Sequence, residues 1–226
     1  MNSADFGAYK RRYRIAIEHV LRESEAGRLD ENGFPAYAHM NPLINWLFWK
    51  RIHMVMNHVE KTAPYGLTLD FGCGSGVMLP FLSTVSREVV ASDIDLLPLN
   101  SVRSHIPLAP NVRIHDASTE TLTDLGAGTF DLILALDVLE HIPDLQGTLT
   151  ALLRLLKPCG QLIISGPTEN MLYRIGRRLA GPQFSGDYHE RGVAEIRQAL
   201  DRMVRTEHIA TLFGPVALFE LFAAVA

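Results

Sequence analysis

The sequence predicts an α/β fold built on a doubly wound, largely parallel sheet, and three observations carry that prediction. Short apolar runs alternate with helical segments from Leu67 onward, which implies crossover units with helices on both faces of a sheet. The first run ends in a carboxylate and opens into a loop with glycine at alternate positions, Gly72, Gly74 and Gly76. Residues 1–62 lie outside the alternation and read as helical. The chain therefore divides into an N-terminal helical cap, 1–62, and a sheet domain, 63–226.

In the cap, Tyr13, Ile17, Val20 and Leu21 form an apolar stripe beside a basic cluster at Lys10, Arg11, Arg12 and Arg14. A loop rich in Gly, Asp and Glu follows, up to Pro35. Asn41 and Pro42 read as the cap and first-turn proline of a helix over Leu43–Lys61. Leu43, Ile44, Trp46, Leu47, Phe48 and Trp49 nearly encircle its first turns, which predicts a buried helix or one lining an apolar substrate pocket.

Strands are expected over Gly66–Leu69, Val89–Ser92, Val112–Ile114, Phe130–Leu136 and Leu162–Ser165. Helices are expected from Ser75 onward and over Leu145–Lys157, the latter ended by Pro158 and Gly160. Two further apolar runs lie between His208 and Ala226, separated by Gly214-Pro215. Ligands of such sheets bind beyond the carboxyl ends of the strands.

A formal charge of −4 argues against a general nucleic-acid binder, which would carry a basic face. No apolar stretch approaches the length of a bilayer span, and the first residues do not read as a signal peptide. Cys73 and Cys159 are too few for a disulfide framework, so the expected location is cytoplasmic.

The chemistry concentrates in Asp70-Phe71-Gly72-Cys73-Gly74-Ser75-Gly76. Glycine there permits close approach of backbone to ligand and positive φ. Val77 occupies the last glycine position of the dinucleotide fingerprint, and no Gly-Lys-Ser/Thr follows, so neither a dinucleotide loop nor a phosphate loop is indicated. An acid ahead of a loop without a phosphate-seeking lysine suits a ligand that is cationic at one end. The segment resembles motif I of the class I S-adenosylmethionine-dependent methyltransferases, whose usual form is an apolar strand followed by D-x-G-C/A-G-x-G.

That resemblance implies a Rossmann-like seven-stranded sheet with an antiparallel last strand, and S-adenosylmethionine as cofactor, with S-adenosylhomocysteine as product. It places Asp70, Gly72, Cys73, Gly74 and Gly76 around the cofactor's amino-acid end. Asp93 matches the ribose acid, with Asp95 as the weaker alternative, and Ile94 is placed to pack on adenine. Asp116 and Ala117 match the acceptor and backbone donor for the adenine edge.

Phe130 to Pro143 is similar to motif IV of small-molecule members, written F-D-x-V-x-x-x-x-V-L-E-H-V. It implies that backbone around Ala135 and Leu136 meets the methionine end of the cofactor. Asp137, Glu140 and His141 lie at i, i+3 and i+4 and would share one face of a helical turn. His141, whose ordinary pKa suits a general base at neutral pH, is the expected catalytic residue together with Asp137.

Ubiquinone-pathway O-methyltransferases and small-RNA terminal-ribose methyltransferases carry E-x-x-E-H, associated there with a divalent metal. Here aspartate stands first. A metal-dependent O-methyltransferase using Asp137, Glu140 and His141 is therefore an alternative reading, with His189 as a further ligand or a substrate contact, and no metal is the preferred one. Another alternative is a non-catalytic methyltransferase-like partner protein.

After the fifth strand, Thr168 is expected to cap a helix ended by Gly181. On it Met171, Leu172, Ile175 and Leu179 form a stripe flanked by Arg174, Arg177 and Arg178. With the 43–49 segment this helix would frame an apolar pocket with a basic rim. The expected acceptor is a small, hydrophobic or lipid-like molecule bearing an acidic group, with at most weak peripheral membrane contact and no nucleic acid. The expected reaction is methyl transfer to an O or N nucleophile.

Overall fold

The computed structural model describes residues 3–23, 37, 42–168, 192–212 and 218–225. Two helices, α1 (Ser3–Glu23) and α2 (Pro42–Val59), precede the sheet. Then follow β1 (Tyr65–Phe71), α3 (Leu79–Val85), β2 (Ser86–Asp93), α4 (Leu97–Val102), β3 (Val112–Asp116), β4 (Phe130–Leu136), α5 (Leu145–Leu155), β5 (Leu156–Pro167), α6 (Val193–Asp201), β6 (Thr206–Leu212) and β7 (Phe219–Val225).

The seven strands run in the order β3-β2-β1-β4-β5-β7-β6. The first five are parallel, and β7 is antiparallel to both neighbours. The alternating pattern and the reversed final strand therefore stand as the sequence and its resemblance implied.

Period-two alternation sends successive residues to opposite faces. On one face Leu132, Leu134, Ile163, Leu221 and Ala223 pack with Tyr13 and Ile17 of α1, Trp49 and Ile52 of α2, Leu79 of α3 and Leu99 of α4. On the other, Leu69, Phe71, Ile133, Ala135, Leu162, Ile164 and Phe222 pack with Leu149 and Leu152 of α5 and Ile196 and Leu200 of α6. The cap helices thus share a core with the sheet.

Three boundaries differ from expectation. The helix expected from Ser75 begins at Leu79, because residues 74–78 form turns, with the amide of Gly76 on the Cys73 carbonyl and that of Leu79 on the Gly76 carbonyl. The helix expected to Lys157 ends at Leu155, and β5 starts at Leu156 with a register break opposite Asp131. Lys157 Nζ, 2.9 Å from both Asp131 oxygens, holds that break, and Cys159 takes a φ of 66° within it. α5 starts where expected, with Asp144 accepting the Gly147 amide at 2.9 Å.

α2 is buried along Trp49, Ile52, Val55, Met56 and Val59, but Leu43 and Trp46 are 57% and 45% exposed. An apolar surround therefore did not bury the first turns. Arg174, Arg177, Arg178, His189 and the helix expected over Met171–Ala180 lie outside the described residues, as does the helix cap at Asn41.

Candidate functional site

Asp70 is the next-to-last residue of β1, with its neighbours Leu69 and Phe71 on the other face, so its carboxylate turns toward α1 and α2. It is 3% exposed and, among the described residues, has no ion-pair partner. Burial first, and the charge of Asp93 second, push its carboxyl up to about 7. A buried acid of this kind favours a cation delivered by a ligand. The same surroundings push the Cys73 thiol well up, which leaves it unreactive.

The glycine loop is tied to the ends of the adjoining strands. Amides of Gly72 and Cys73 donate to the Ser92 carbonyl at 2.8 and 3.0 Å, and the Gly74 amide donates to Asp93 Oδ2 at 2.7 Å. The other oxygen of Asp93 accepts from the Asp95 amide at 3.1 Å, while Asp95 turns back to the amide of Leu97 at 2.9 Å. Asp93 is thus part of the loop's frame and Asp95 is not. Ile94 stands 76% exposed between them, an apolar surface in the place expected for a base to stack.

Gly72 and Gly76 take φ of 72° and 77°, and a side chain at either would also crowd a neighbour, most tightly at Gly72. A Cβ at Gly72 would lie 2.5 Å from Val138 Cγ2, and one at Gly76 2.7 Å from Leu99 Cδ1. Around Gly74 there is open space, so its glycine serves backbone conformation and ligand access instead.

Beyond β3, Asp116 Oδ1 accepts from the Ser118 amide at 3.0 Å and from its hydroxyl at 2.5 Å, contacts that hold its carboxyl below the usual range. The Ala117 amide already donates to the Asp93 carbonyl at 3.0 Å, so bonding to a base would require it to be shared. His115 is buried below them, with Nδ1 2.9 Å from the Ser92 hydroxyl and Nε2 3.2 Å from the Thr121 carbonyl. With Nε2 donating to that carbonyl, Nδ1 accepts from Ser92.

Leu136 is half-buried at the end of β4, and Asp137 beyond it has a φ of 53°. Leu139–His141 form one 3₁₀ turn, on which Glu140 is 1% exposed and His141 lies at the surface. The expected common face for Asp137, Glu140 and His141 is therefore not found. The left-handed Asp137 interrupts the helical spacing, and the turn buries Glu140 while exposing His141. Among the described residues, no three His, Cys, Asp or Glu side chains converge as a metal-holding group.

Several residues that sequence reasoning missed converge here from the cap. Tyr13 donates to the Ser75 carbonyl and Tyr9 to the Val77 carbonyl, so α1 is fastened to the glycine loop. Burial pushes both phenols up, so they remain donors. Arg51 of α2, 4% exposed, forms an ion pair with Asp137. The sequence signals were slight: Arg51 beside Lys50 just after the aromatic run of α2, and the apolar stripe that contained Tyr13.

Residues 69–164 match the model of the methyltransferase domain family. The chain is 32% identical over 103 residues to the ubiquinone biosynthesis O-methyltransferase of Aromatoleum aromaticum, covering 45% of this chain and 44% of that one. It is 29% identical over 167 residues to the enzyme of the same name from Nitrosococcus oceani, covering 70% and 67%. With the first of these the chain spans less than half of its relative's length. In fold it is similar to the N-methyltransferase NodS from Bradyrhizobium japonicum, solved with S-adenosyl-L-homocysteine. The TM-score is 0.63 at 17% identity, over 95% of this chain and 97% of that one. Together with the reversed seventh strand and the glycine loop, these likenesses make residues 69–164 similar to the methyltransferase domain family and give the chain the fold of the class I S-adenosylmethionine-dependent methyltransferases.

Proposed function

We propose that this chain transfers the methyl group of S-adenosylmethionine to an O or N nucleophile of a small, partly hydrophobic molecule. The observation that carries the reading is a buried, unneutralised Asp70 beneath a glycine loop whose Gly74 amide is braced by Asp93. The two carboxylates fit the two ends of the cofactor: Asp70 its ammonium, Asp93 its ribose hydroxyls. Gly72, Cys73, Gly74 and Gly76 would line its amino-acid end, Leu136 its methionine chain, and Ile94, Asp116 and Ala117 its base. When bound, the cofactor supplies a sulfonium methyl that a nucleophile takes in line, so the chain's contribution is mainly orientation.

His141, exposed on its turn, would accept the proton of a hydroxyl or ammonium nucleophile at a ring nitrogen. Asp137, expected to be catalytic, faces a buried guanidinium, and in this reading it shapes the site instead of taking protons. The same guanidinium opposes a second cation at Asp137, which supports the metal-free reading over the metal-dependent alternative. In this proposal residues 1–62 cap a methyl-transfer domain over 63–226. The exposed Leu43 and Trp46 support an apolar acceptor. A cytoplasmic location belongs to the same proposal; no described helix is long and apolar enough to cross a membrane.

Thermal unfolding with each ligand tests the reading. S-adenosylmethionine and S-adenosylhomocysteine at about 100 times their dissociation constants should each raise the midpoint by roughly 5–10 °C, and NAD should not. Equal shifts with NAD, or none with any, would sink it.

The ribose assignment has its own test. Asp93→Ala should weaken S-adenosylhomocysteine binding by about 2–4 kcal/mol, because charge-assisted bonds to the ligand and the brace on Gly74 both go. Asp95→Ala should cost well under about 1 kcal/mol, and the reverse order would show that Asp95 holds the ribose.

A further inference from the structure

Arg51 is aimed by its surroundings. Its guanidinium carbon lies 5.1 Å from the centroid of Phe48 and 5.2 Å from that of Phe219, and Nη2 donates to the Tyr37 hydroxyl at 3.4 Å. Tyr37 is itself fixed through its carbonyl, which accepts from Asn45 at 2.6 Å and from Trp49 Nε1 at 3.0 Å. A flexible side chain has in this way been given one direction, and that direction ends on Asp137.

Asp137 is constrained in turn. Its amide donates to the Ser165 carbonyl at 2.9 Å, and its Oδ1 accepts from the Ser165 hydroxyl at 3.1 Å. A left-handed backbone is disfavoured for any residue with a Cβ and persists where its surroundings over-determine it. Here those surroundings are one residue of β5 and one of the cap. The next residue, Val138, lies so close to Gly72 that a single added carbon there would clash. Val138 thus joins Asp137 to the glycine loop by direct contact.

We propose that Arg51 is a positioning residue for the cofactor site. From the cap it holds Asp137 in the left-handed turn after β4, and through Val138 it sets the gap between that turn and the glycine loop. The inference rests on the cofactor reading above and adds that cofactor affinity depends on a charge carried by the cap. Asp137 is the anionic half of this latch.

Two measurements on the full chain test it. Hydrogen exchange of the amides over residues 137–142, in the ligand-free protein, should quicken at least tenfold in Arg51→Met and less in Arg51→Lys. Calorimetric titration with S-adenosylhomocysteine should show at least tenfold weaker binding to Arg51→Met, with Arg51→Lys intermediate. In the double variant Arg51→Met/Asp137→Asn position 137 no longer carries a charge left without its cation, so the melting point should recover toward wild type. Its affinity should stay low, which a purely stabilising role for Arg51 would not produce. Wild-type affinity and exchange in Arg51→Met would overturn the role of Arg51. Failure of the unmodified chain to bind S-adenosylhomocysteine, with exchange still quickened in Arg51→Met, would overturn the cofactor reading while leaving the Arg51–Asp137 latch in place.

Discussion

The Gly74→Val protein should fail to bind S-adenosylhomocysteine in calorimetric titration while its far-UV spectrum stays native. Gly74 takes a φ of 51°, and no atom lies within 4 Å of a Cβ built on it. The added Cβ therefore meets nothing in the protein, and the side chain it carries would stand where the ligand's amino-acid end is expected. The left-handed backbone costs of order 1 kcal/mol for a residue with a Cβ, too little to unfold the chain. The loss in affinity should exceed roughly 100-fold, about 2.7 kcal/mol. Gly76→Ala is the contrasting control: its Cβ would press on Leu99 and Leu79, so it should lower stability with or without ligand. Undiminished affinity in Gly74→Val would remove this loop from the cofactor site.

The second large effect is expected at Asp70. Its carboxyl titrates near 7 in the folded chain, against about 3.9 when exposed. Between those values the folded state holds a proton that the unfolded state has released, so stability falls as pH rises. The penalty begins above about pH 4 and is complete once pH passes about 7, where it reaches of order 4 kcal/mol. Unfolding of the ligand-free protein at pH 5 and pH 8 should show this loss, and Asp70→Asn should flatten it. A ligand ammonium placed on Asp70 reverses the shift, so binding near pH 6 should release up to one proton. Titration in buffers of different ionisation enthalpy measures that proton. No proton release, with the pH slope unchanged in Asp70→Asn, would place the ligand's cation elsewhere.

What the sequence made legible was local. The alternation of apolar runs, the carboxylate near the end of β1 and the three glycines are each a pattern within a few residues, and each was found where expected. The exit from the glycine loop was misjudged because Ser75-Gly76-Val77-Met78 can continue a helix or fold into turns. Two tyrosines of α1 hydrogen-bonding to carbonyls in that segment accompany the second outcome. Those bonds join residues 68 and 62 positions apart, a separation that no local pattern records. The same holds for Arg51, whose partner belongs to the turn after β4. The spacing of Asp137, Glu140 and His141 misled for a different reason. A helical face exists only if φ stays right-handed, and Asp137 breaks that condition.

The placement of β7 between β5 and β6 has a consequence for how the chain assembles on the ribosome. Among the described residues β6 has no strand neighbour except β7, so it cannot join the sheet when it emerges, although it is made first. Until Phe219–Val225 arrives, the growing protein presents the open edge of β5, with Leu162, Ile163 and Ile164 in an extended, hydrogen-bond-ready row. An apolar strand edge held open in a crowded cell is a template for other chains. Synthesis of this chain therefore has an interval of exposure that β7 closes, and chaperone occupancy of nascent chains should peak between the completion of β5 and the docking of β7.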